Sequence, residues 1–574
     1  MILLPYFKFF LVLYFLVGMH VILDTPGGVG LYYSYNVIAW IITSILIALG
    51  LWQITLNKKI YYSNMLLWLT LGCICLVIPI FYNFQFTDHA IPRVLALIGG
   101  LLFLFSLYQF QLSKPNILQI LGIILIAIIL EASFGLVQFF IFEAGDWGGY
   151  RIGSSRPHGV FLQPNVMASF MATGLAIALF FSSKTTLLTK YKPLKYFVFF
   201  SLFSTTFLLV VLQSRTGFVG ALLALICTTP YIFQKSKRQL VTNLCVIGLA
   251  ISAALICIEK SSTPVRSTEV YQNTGVRYDV YLVSLNMIKE EPLLGYGYGG
   301  FERSFIDHFN QYAQQHPEVG DTLVNFSHPH NEVFFWVVEG GGVALLAFLL
   351  FTVGFVLTWI KIPLNKGLLL LALPLPLLVH CQFEFPFYSS VSHWLVFLIL
   401  LWVIDQYTIN TKNKINIIPC QKTFLIRFLA LLIPAIFVPF MVTAQHTAYI
   451  LVEYEKNLTD PVALKRLNNI VNPIAWQNRL DAAVYAHILI SGLHERDNEK
   501  LTSYLDWVID RIQYKPRPIL YRKALLVANI LDKEELFDRL LNEAQRTYPQ
   551  EKTRWLIDLE KHEVQVKQNN TTTK

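Results

Sequence analysis

Apolar residues fall along this chain in blocks of about twenty, separated by short polar turns. A block of that length lets one helix cross the hydrocarbon core of a bilayer with its backbone bonded internally. The blocks predict spans over 3–23, 32–56, 64–82, 91–111, 117–142, 164–183, 196–212, 216–233, 239–258, 331–359, 367–383, 392–409 and 423–444. That is about thirteen helices. The first block has almost no basic residues ahead of it and no clear small-residue cleavage site. It is read as a retained helix, because further spans follow it.

The pattern changes near Gln445. Charge becomes frequent, and apolar residues return at helical spacing, as in Leu464, Leu467, Ile470, Val471 and later Leu520, Ala524, Val527, Leu531. Pro473, Pro516, Pro518 and Pro549 punctuate this tail. The expected architecture is all-α: a polytopic membrane domain over 1–444 and a helical domain over 445–574, for which helix-pair repeats are one arrangement. The end, Gln568 to Lys574, reads as disordered.

Composition agrees. The 574 residues are 55% hydrophobic with mean hydropathy +0.52. Only 14% are charged, where a soluble domain carries about 25%, and this excludes an ordinary soluble globular protein. Cys73, Cys75, Cys227, Cys245, Cys257, Cys381 and Cys420 show no metal-binding spacing and read as small apolar residues in helices.

Charge sets the expected sidedness. Lys58, Lys59, Lys114, Lys184, Lys190, Lys192, Lys195, Lys235, Lys237, Arg238, Lys361, Lys366, Lys412, Lys414 and Lys422 occupy alternate loops, cytoplasmic by the positive-inside rule. The N-terminus is then cytoplasmic and the C-terminal domain lies outside, with outer loops 143–163 and 259–330. The basic residues of the outer side are mostly arginine: Arg93, Arg151, Arg156, Arg215, Arg266, Arg277 and Arg303. A guanidinium offers a planar fork for phosphate or carboxylate, so an outer face that binds an anion is one reading and ordinary interfacial pairing is the other.

Four unusual segments fall at that outer boundary. Arg156-Pro157-His158-Gly159 leads into Gln163-Pro164-Asn165, where Pro and Gly force irregular backbone at the start of a span. Gln163 and Asn165 can donate to and accept from sugar hydroxyls, or Asn165 can cap the helix. Gln213-Ser214-Arg215-Thr216-Gly217 makes a tight turn whose arginine must snorkel or meet an anion. Arg277 begins an amphipathic stretch, Val276 to Met287, followed by Glu291-Pro292-Leu293-Leu294-Gly295-Tyr296-Gly297-Tyr298-Gly299-Gly300, whose glycines permit a tight backbone close to a ligand. The run lacks the GK[ST] end of a nucleotide-binding loop. His328-Pro329-His330-Asn331-Glu332 precedes a span holding Glu339-Gly340-Gly341-Gly342. A histidine there suits a general base. Two histidines two residues apart also suit a metal, but the sequence offers no third and fourth ligand nearby. A further outer turn, Glu384-Phe385-Pro386-Phe387-Tyr388, carries a tyrosine suited either to substrate or to the aromatic belt.

In order and on one side of a many-span chain, these segments resemble the O-antigen ligase/polymerase superfamily. The carriers are Arg156…Gln163-Pro164-Asn165, Ser214-Arg215-Thr216-Gly217, Arg277 with Pro292…Gly295…Gly297, and His330-Asn331 with Gly341. Within that superfamily the chain looks most like bacterial protein O-oligosaccharyltransferases of the PglL type. The resemblance implies a GT-C-like multi-pass enzyme of the bacterial inner membrane with its C-terminal domain in the periplasm. Its implied partners are undecaprenyl-diphosphate-linked oligosaccharide, pilin or another exported acceptor protein, and membrane lipid. Nucleic acid, nucleotide, metal and cofactor are not implied.

By the same resemblance the glycan passes en bloc to a serine or threonine hydroxyl. His330 takes the role of base, Arg215 and Arg277 stabilise the departing diphosphate, and Arg156 assists. Gln163, Asn165, Asn331, His328 and Tyr388 are the expected substrate contacts, with Phe385 an alternative match for the tyrosine. Ligation to lipid A–core and polymerisation of lipid-linked sugar are the competing readings. A transporter would instead place ionisable residues in mid-membrane, where Glu131 is the main candidate.

Overall fold

Helices begin where the apolar blocks meet a proline or a small polar residue. Proline occupies the first turn at Ile91, Lys114, Pro164 and Lys192. Ser63, Ser214, Ser236, Asn331 and Ser390 cap others by accepting a backbone N–H of the first turn. The computed structural model describes all residues except 1, 24–28, 83, 144, 147–155, 261–275, 320–324, 409–412, 417–419, 457–460 and 552–574. Arg151, Arg266 and the segment Gln568–Lys574 lie outside the described residues.

The membrane part runs α1 (Leu4–Leu16), α2 (Ser34–Asn57), α3 (Asn64–Val77), α4 (Ile91–Gln109), α5 (Lys114–Phe140), α6 (Pro164–Ser182), a short α7 (Thr185–Lys190), α8 (Lys192–Leu212), α9 (Arg215–Lys235) and α10 (Lys237–Glu259). The long loop carries α11 (Arg277–Glu290) and α12 (Phe301–Gln315). Then follow α13 (Glu332–Trp359), α14 (Leu364–Leu371), α15 (Leu375–Cys381), α16 (Pro386–Ser389), α17 (Val391–Gln406) and α18 (Cys420–Lys456). Each of the thirteen apolar blocks is helical. Among the described residues ten helices are long and apolar enough to span, and α14 with α15, bent by 55°, makes an eleventh. The remaining two, Leu4–His20 and Val391–Gln406, are shorter apolar helices. The protein is thus an all-α multi-pass membrane protein.

Burial ranks the spans. The apolar stretch of α6 is 94% enclosed by protein, whereas that of α18 is 11% enclosed, so α6 forms the centre and α18 faces lipid along most of its surface. Two short strands, Lys59–Tyr62 and Asn413–Asn416, pair antiparallel, with Lys59 opposite Asn416. No turn signal in the sequence announced them. They join two loops that their lysines had assigned to one side.

The helix expected over 423–444 continues to Lys456 as one piece. Beyond it come α19 (Pro461–Arg466), α20 (Gln477–Glu495), α21 (Asn498–Tyr514), α22 (Pro518–Ile530) and α23 (Glu534–Thr547). The helical spacing read through Val471 stops at Arg466; Ile470 is extended and Val471 is exposed. Asn472 is the cause. Its side chain donates to the Phe440 carbonyl at 3.0 Å and accepts from Ala475 N at 3.1 Å, which ties the chain to α18. Leu501, Tyr504, Leu505, Val508, Tyr521, Ala524, Leu525 and Leu540 form the core of the later helices.

Candidate functional site

α13 is broken at Gly341, whose φ of 60° and ψ of −148° no ordinary helix residue adopts. The break frees carbonyls that the glycine-rich loop uses. Tyr296 N donates to Val338 O and Gly297 N to Glu339 O, both at 2.9 Å, and Gly342 N donates to Leu293 O at 3.1 Å. The Glu339 carboxylate accepts from Gly299 N at 3.0 Å and Phe301 N at 3.2 Å, and its other oxygen meets Arg93 at 2.5 Å. Arg93 also lies over the rings of Tyr298, Phe335 and Trp336. The expectation that the outer arginines are anion ligands therefore does not extend to Arg93, which is sealed among its own partners.

This knot holds the start of α13, where His330 and Asn331 stand. His330 has φ 54°, a left-handed value uncommon for a residue with a side chain. Its carbonyl accepts from the Tyr281 hydroxyl at 3.1 Å, a donor shared with the Gln382 carbonyl at 2.5 Å. The Asn331 amide is committed at both ends. Its oxygen caps Phe334 N at 3.0 Å, and its nitrogen donates to Gln382 at 3.3 Å.

Glu384 is the centre of the site. One carboxylate oxygen takes a hydrogen bond from Arg277 Nη2 at 2.7 Å, and the other meets His330 Nδ1 at 3.1 Å and lies 3.7 Å from His328 Nε2. Burial would raise this carboxyl. The hydrogen bond from His330 and the adjacent Arg277 guanidinium outweigh it and hold Glu384 well below the usual carboxylate range. An ionised Glu384 accepts only, so the His330 proton sits on Nδ1 and the lone pair on Nε2. Desolvation pushes His328 down to about 4 despite its Glu384 partner, leaving it neutral near pH 7. The His328 ring packs against Phe385 at 3.6 Å, and Phe326 meets the His330 ring edge-on at 5.2 Å. His328, His330 and Glu384 present ligand atoms within 4.8 Å of one another, a third potential metal ligand that spacing had not revealed. Arg277 already neutralises that carboxylate, which disfavours a cation there.

A second group gathers at the α8–α9 turn. Arg156 donates through Nη1 to the carbonyls of Leu212 and, at 3.3 Å, Gln213. The Ser214 hydroxyl donates to Asn165 Oδ1 at 3.0 Å and accepts from Gly217 N at 3.3 Å. Asn165 thus braces the turn and does not cap α6, whose N-cap is Gln163. Gln213 and Leu162 share the left-handed backbone of His330, with φ of 46° and 54°. Arg215 opens α9, half-buried. Glu131 is spoken for as well: it accepts from Val160 N at 2.7 Å and faces His20 at 3.3 Å, holding the Arg156–Gln163 segment in place.

The two groups are joined by α15. Its residue Pro376 packs against Gly220 of α9, His380 meets Ser169 of α6 at 2.7 Å, and its C-terminus leads straight to Gln382 and Glu384. Tyr388 takes another direction. It packs on Phe335 and Phe385, and its buried hydroxyl faces the Arg93–Glu332 side, away from Glu384. Glu384, Tyr281 and Gln382 are the residues the sequence reading passed over as site members. An acidic side chain in an apolar outer turn was the available signal for Glu384.

A multi-pass all-α protein with an Arg–Glu–His cluster at one end of its bundle is the class this fold defines. Residues 199–349 match the family model described as O-Antigen ligase. Residues 368–561 match the model described as virulence factor membrane-bound polymerase, C-terminal. The two matches support a place in the O-antigen ligase/polymerase superfamily, a glycosyl-transfer function in the membrane and lipid-linked oligosaccharide as substrate. No curated protein matches the chain.

Proposed function

We infer that the protein is an oligosaccharyltransferase that moves a glycan from undecaprenyl diphosphate to a serine or threonine of pilin or another exported protein. The observation that carries this reading is the Glu384 carboxylate shared by Arg277 and His330. In the reaction the acceptor hydroxyl gives its proton to His330 Nε2 as its oxygen bonds to the anomeric carbon. The bond from that carbon to the diphosphate oxygen breaks, and the electron pair leaves with the lipid diphosphate. Arg277 spends one N–H on Glu384 and keeps others for the developing negative charge, with Arg215 and Arg156 nearby in role. Glu384 orients the imidazole and stabilises its protonated form. Inversion at the anomeric carbon follows from such a direct displacement. No metal is required by these steps.

The family matches favour a second reading, in which the same site ligates glycan to lipid A–core or polymerises lipid-linked sugar. The tail lies within the residues that match the polymerase model, so the acceptor itself has to separate the readings. Purified protein given lipid-linked oligosaccharide, with pilin, core lipid and a second lipid-linked glycan in competition and EDTA present, separates them. Glycan on pilin upholds the proposal. Glycan only on core lipid, or only lengthened lipid-linked chains, moves the function to ligase or polymerase. Loss of all transfer in EDTA would overturn metal independence.

A further inference from the structure

Arg303 lies on α12, which carries the wall of the candidate site on its other face. Phe301, Phe305 and Phe309 pack toward Val338 and Phe326, whereas Arg303 turns toward the tail. There it pairs with Glu543 of α23 at 2.9 Å, and the Tyr521 hydroxyl donates to the same carboxylate oxygen at 2.8 Å. Glu543 is thereby neutralised. Around this pair lies an open cleft of about 460 Å³ lined by Arg303, Gln513, Arg539, Asn542, Glu543 and Arg546. Arg303 is shared between Glu543 and, at 3.5 Å, Asp307, so the positive character of the cleft comes from Arg539 and Arg546. Arg539, Asn542 and Arg546 stand three and four residues apart, so they share one exposed face of α23. Neither Arg539 nor Arg546 has an ion-pair partner among the described residues.

We propose that this cleft binds an acidic segment of the acceptor polypeptide. The proposal rests on the transferase reading with a protein acceptor. Two unpaired guanidinium forks receive carboxylates. The amides of Gln513 and Asn542 offer both donors and acceptors, as a peptide main chain requires and a lipid phosphate does not. The cleft volume falls in the range of about 300–1,000 Å³ typical of ligand sites. Its position on α12 places a captured segment beside the helix that backs His330.

The test uses the full chain in nanodiscs of zwitterionic lipid. A fluorescein-labelled Gly-Glu-Ser-Glu-Gly-Glu peptide is titrated by fluorescence anisotropy, with no glycan donor present, so the outcome is independent of whether transfer occurs. Binding is expected to weaken at least tenfold in the Arg539→Glu/Arg546→Glu double variant, to weaken with rising salt, and to be lost when Gln replaces Glu in the peptide. Both positions are exposed, so the fold is not at stake, and Arg539→Lys/Arg546→Lys serves as a charge-conserving check. Equal binding by the double variant, or no binding by the wild type, overturns the proposal. So does displacement of the peptide by phosphatidylglycerol nanodiscs or by glucuronate at equal carboxylate or phosphate concentration, which would assign the cleft to lipid or to sugar.

Discussion

Glu384 holds Arg277 with one oxygen and His330 with the other. Glu384→Gln keeps the shape and removes the charge that selects the imidazole tautomer, so kcat for glycan transfer should fall about 10²- to 10⁴-fold with expression and gel-filtration profile unchanged. Arg277→Lys keeps charge but loses the fork, and should cost activity as well; an unaffected rate would return Arg277 to a structural role. His328 allows a pH prediction. Its folded pKa of about 4 lies below the unfolded 6.5, so protons bind the unfolded chain first. Stability is therefore unchanged above pH 6.5 and falls as pH drops from 6.5 toward 4. His328→Gln should flatten Tm against pH across that window. The sequence already marked His330, Arg277 and Asn331, the histidine as a base that titrates near neutrality and the other two through the superfamily pattern. Glu384 escaped because its importance lies in contacts 54 and 107 residues distant, which no local spacing encodes. Tyr388 was chosen from the same turn, yet its ring packs on Phe335 and Phe385 and its hydroxyl lies toward the Arg93 side.

Spans were legible because an apolar block of membrane length has one stable outcome, the helix. What their sequence signalled less directly was how helices break. Pro374 and Pro376 accompany the 55° bend between α14 and α15 that delivers Glu384 to the site. The Gly340-Gly341-Gly342 run flagged α13, but the purpose of the break appears only when the loop amides of Tyr296 and Gly297 are seen on the freed carbonyls. A methyl at Gly341 would take on φ 60° and meet the backbone of Leu293. Gly341→Ala should therefore destabilise by at least about 2 kcal/mol, read as a lower Tm in detergent, and should reduce transfer by shifting His330. Gly248, by contrast, faces open space, and Gly248→Ala should leave both unchanged.

Across the whole molecule, the tail is fastened to the elements behind the site. Glu302 pairs with Arg517, the Asn310 amide donates to the Thr547 carbonyl at 2.8 Å, and Tyr514 stacks on His89 at 3.6 Å. One contact reaches the wall of the candidate site almost directly. The Tyr548 hydroxyl meets Asn325 Oδ1 at 2.6 Å, and the next residue, Phe326, lies against the His330 ring. The tail thus fixes one end of the segment that carries both histidines. Tyr548→Phe keeps the buried ring and loses the hydroxyl, with its contacts to Asn325 and to the Pro516 carbonyl at 2.7 Å, at a cost of about 1 kcal/mol. If that contact positions His330, kcat should fall about threefold to fivefold while KM for the lipid-linked donor holds, and amide exchange over residues 325–331 should quicken. Tyr504→Phe, in the same tail core but without a partner across to that segment, is the control. Faster exchange over 325–331 in Tyr548→Phe alone would identify the tail as part of the site's scaffold. Equal exchange in both variants would leave it a domain that only docks there.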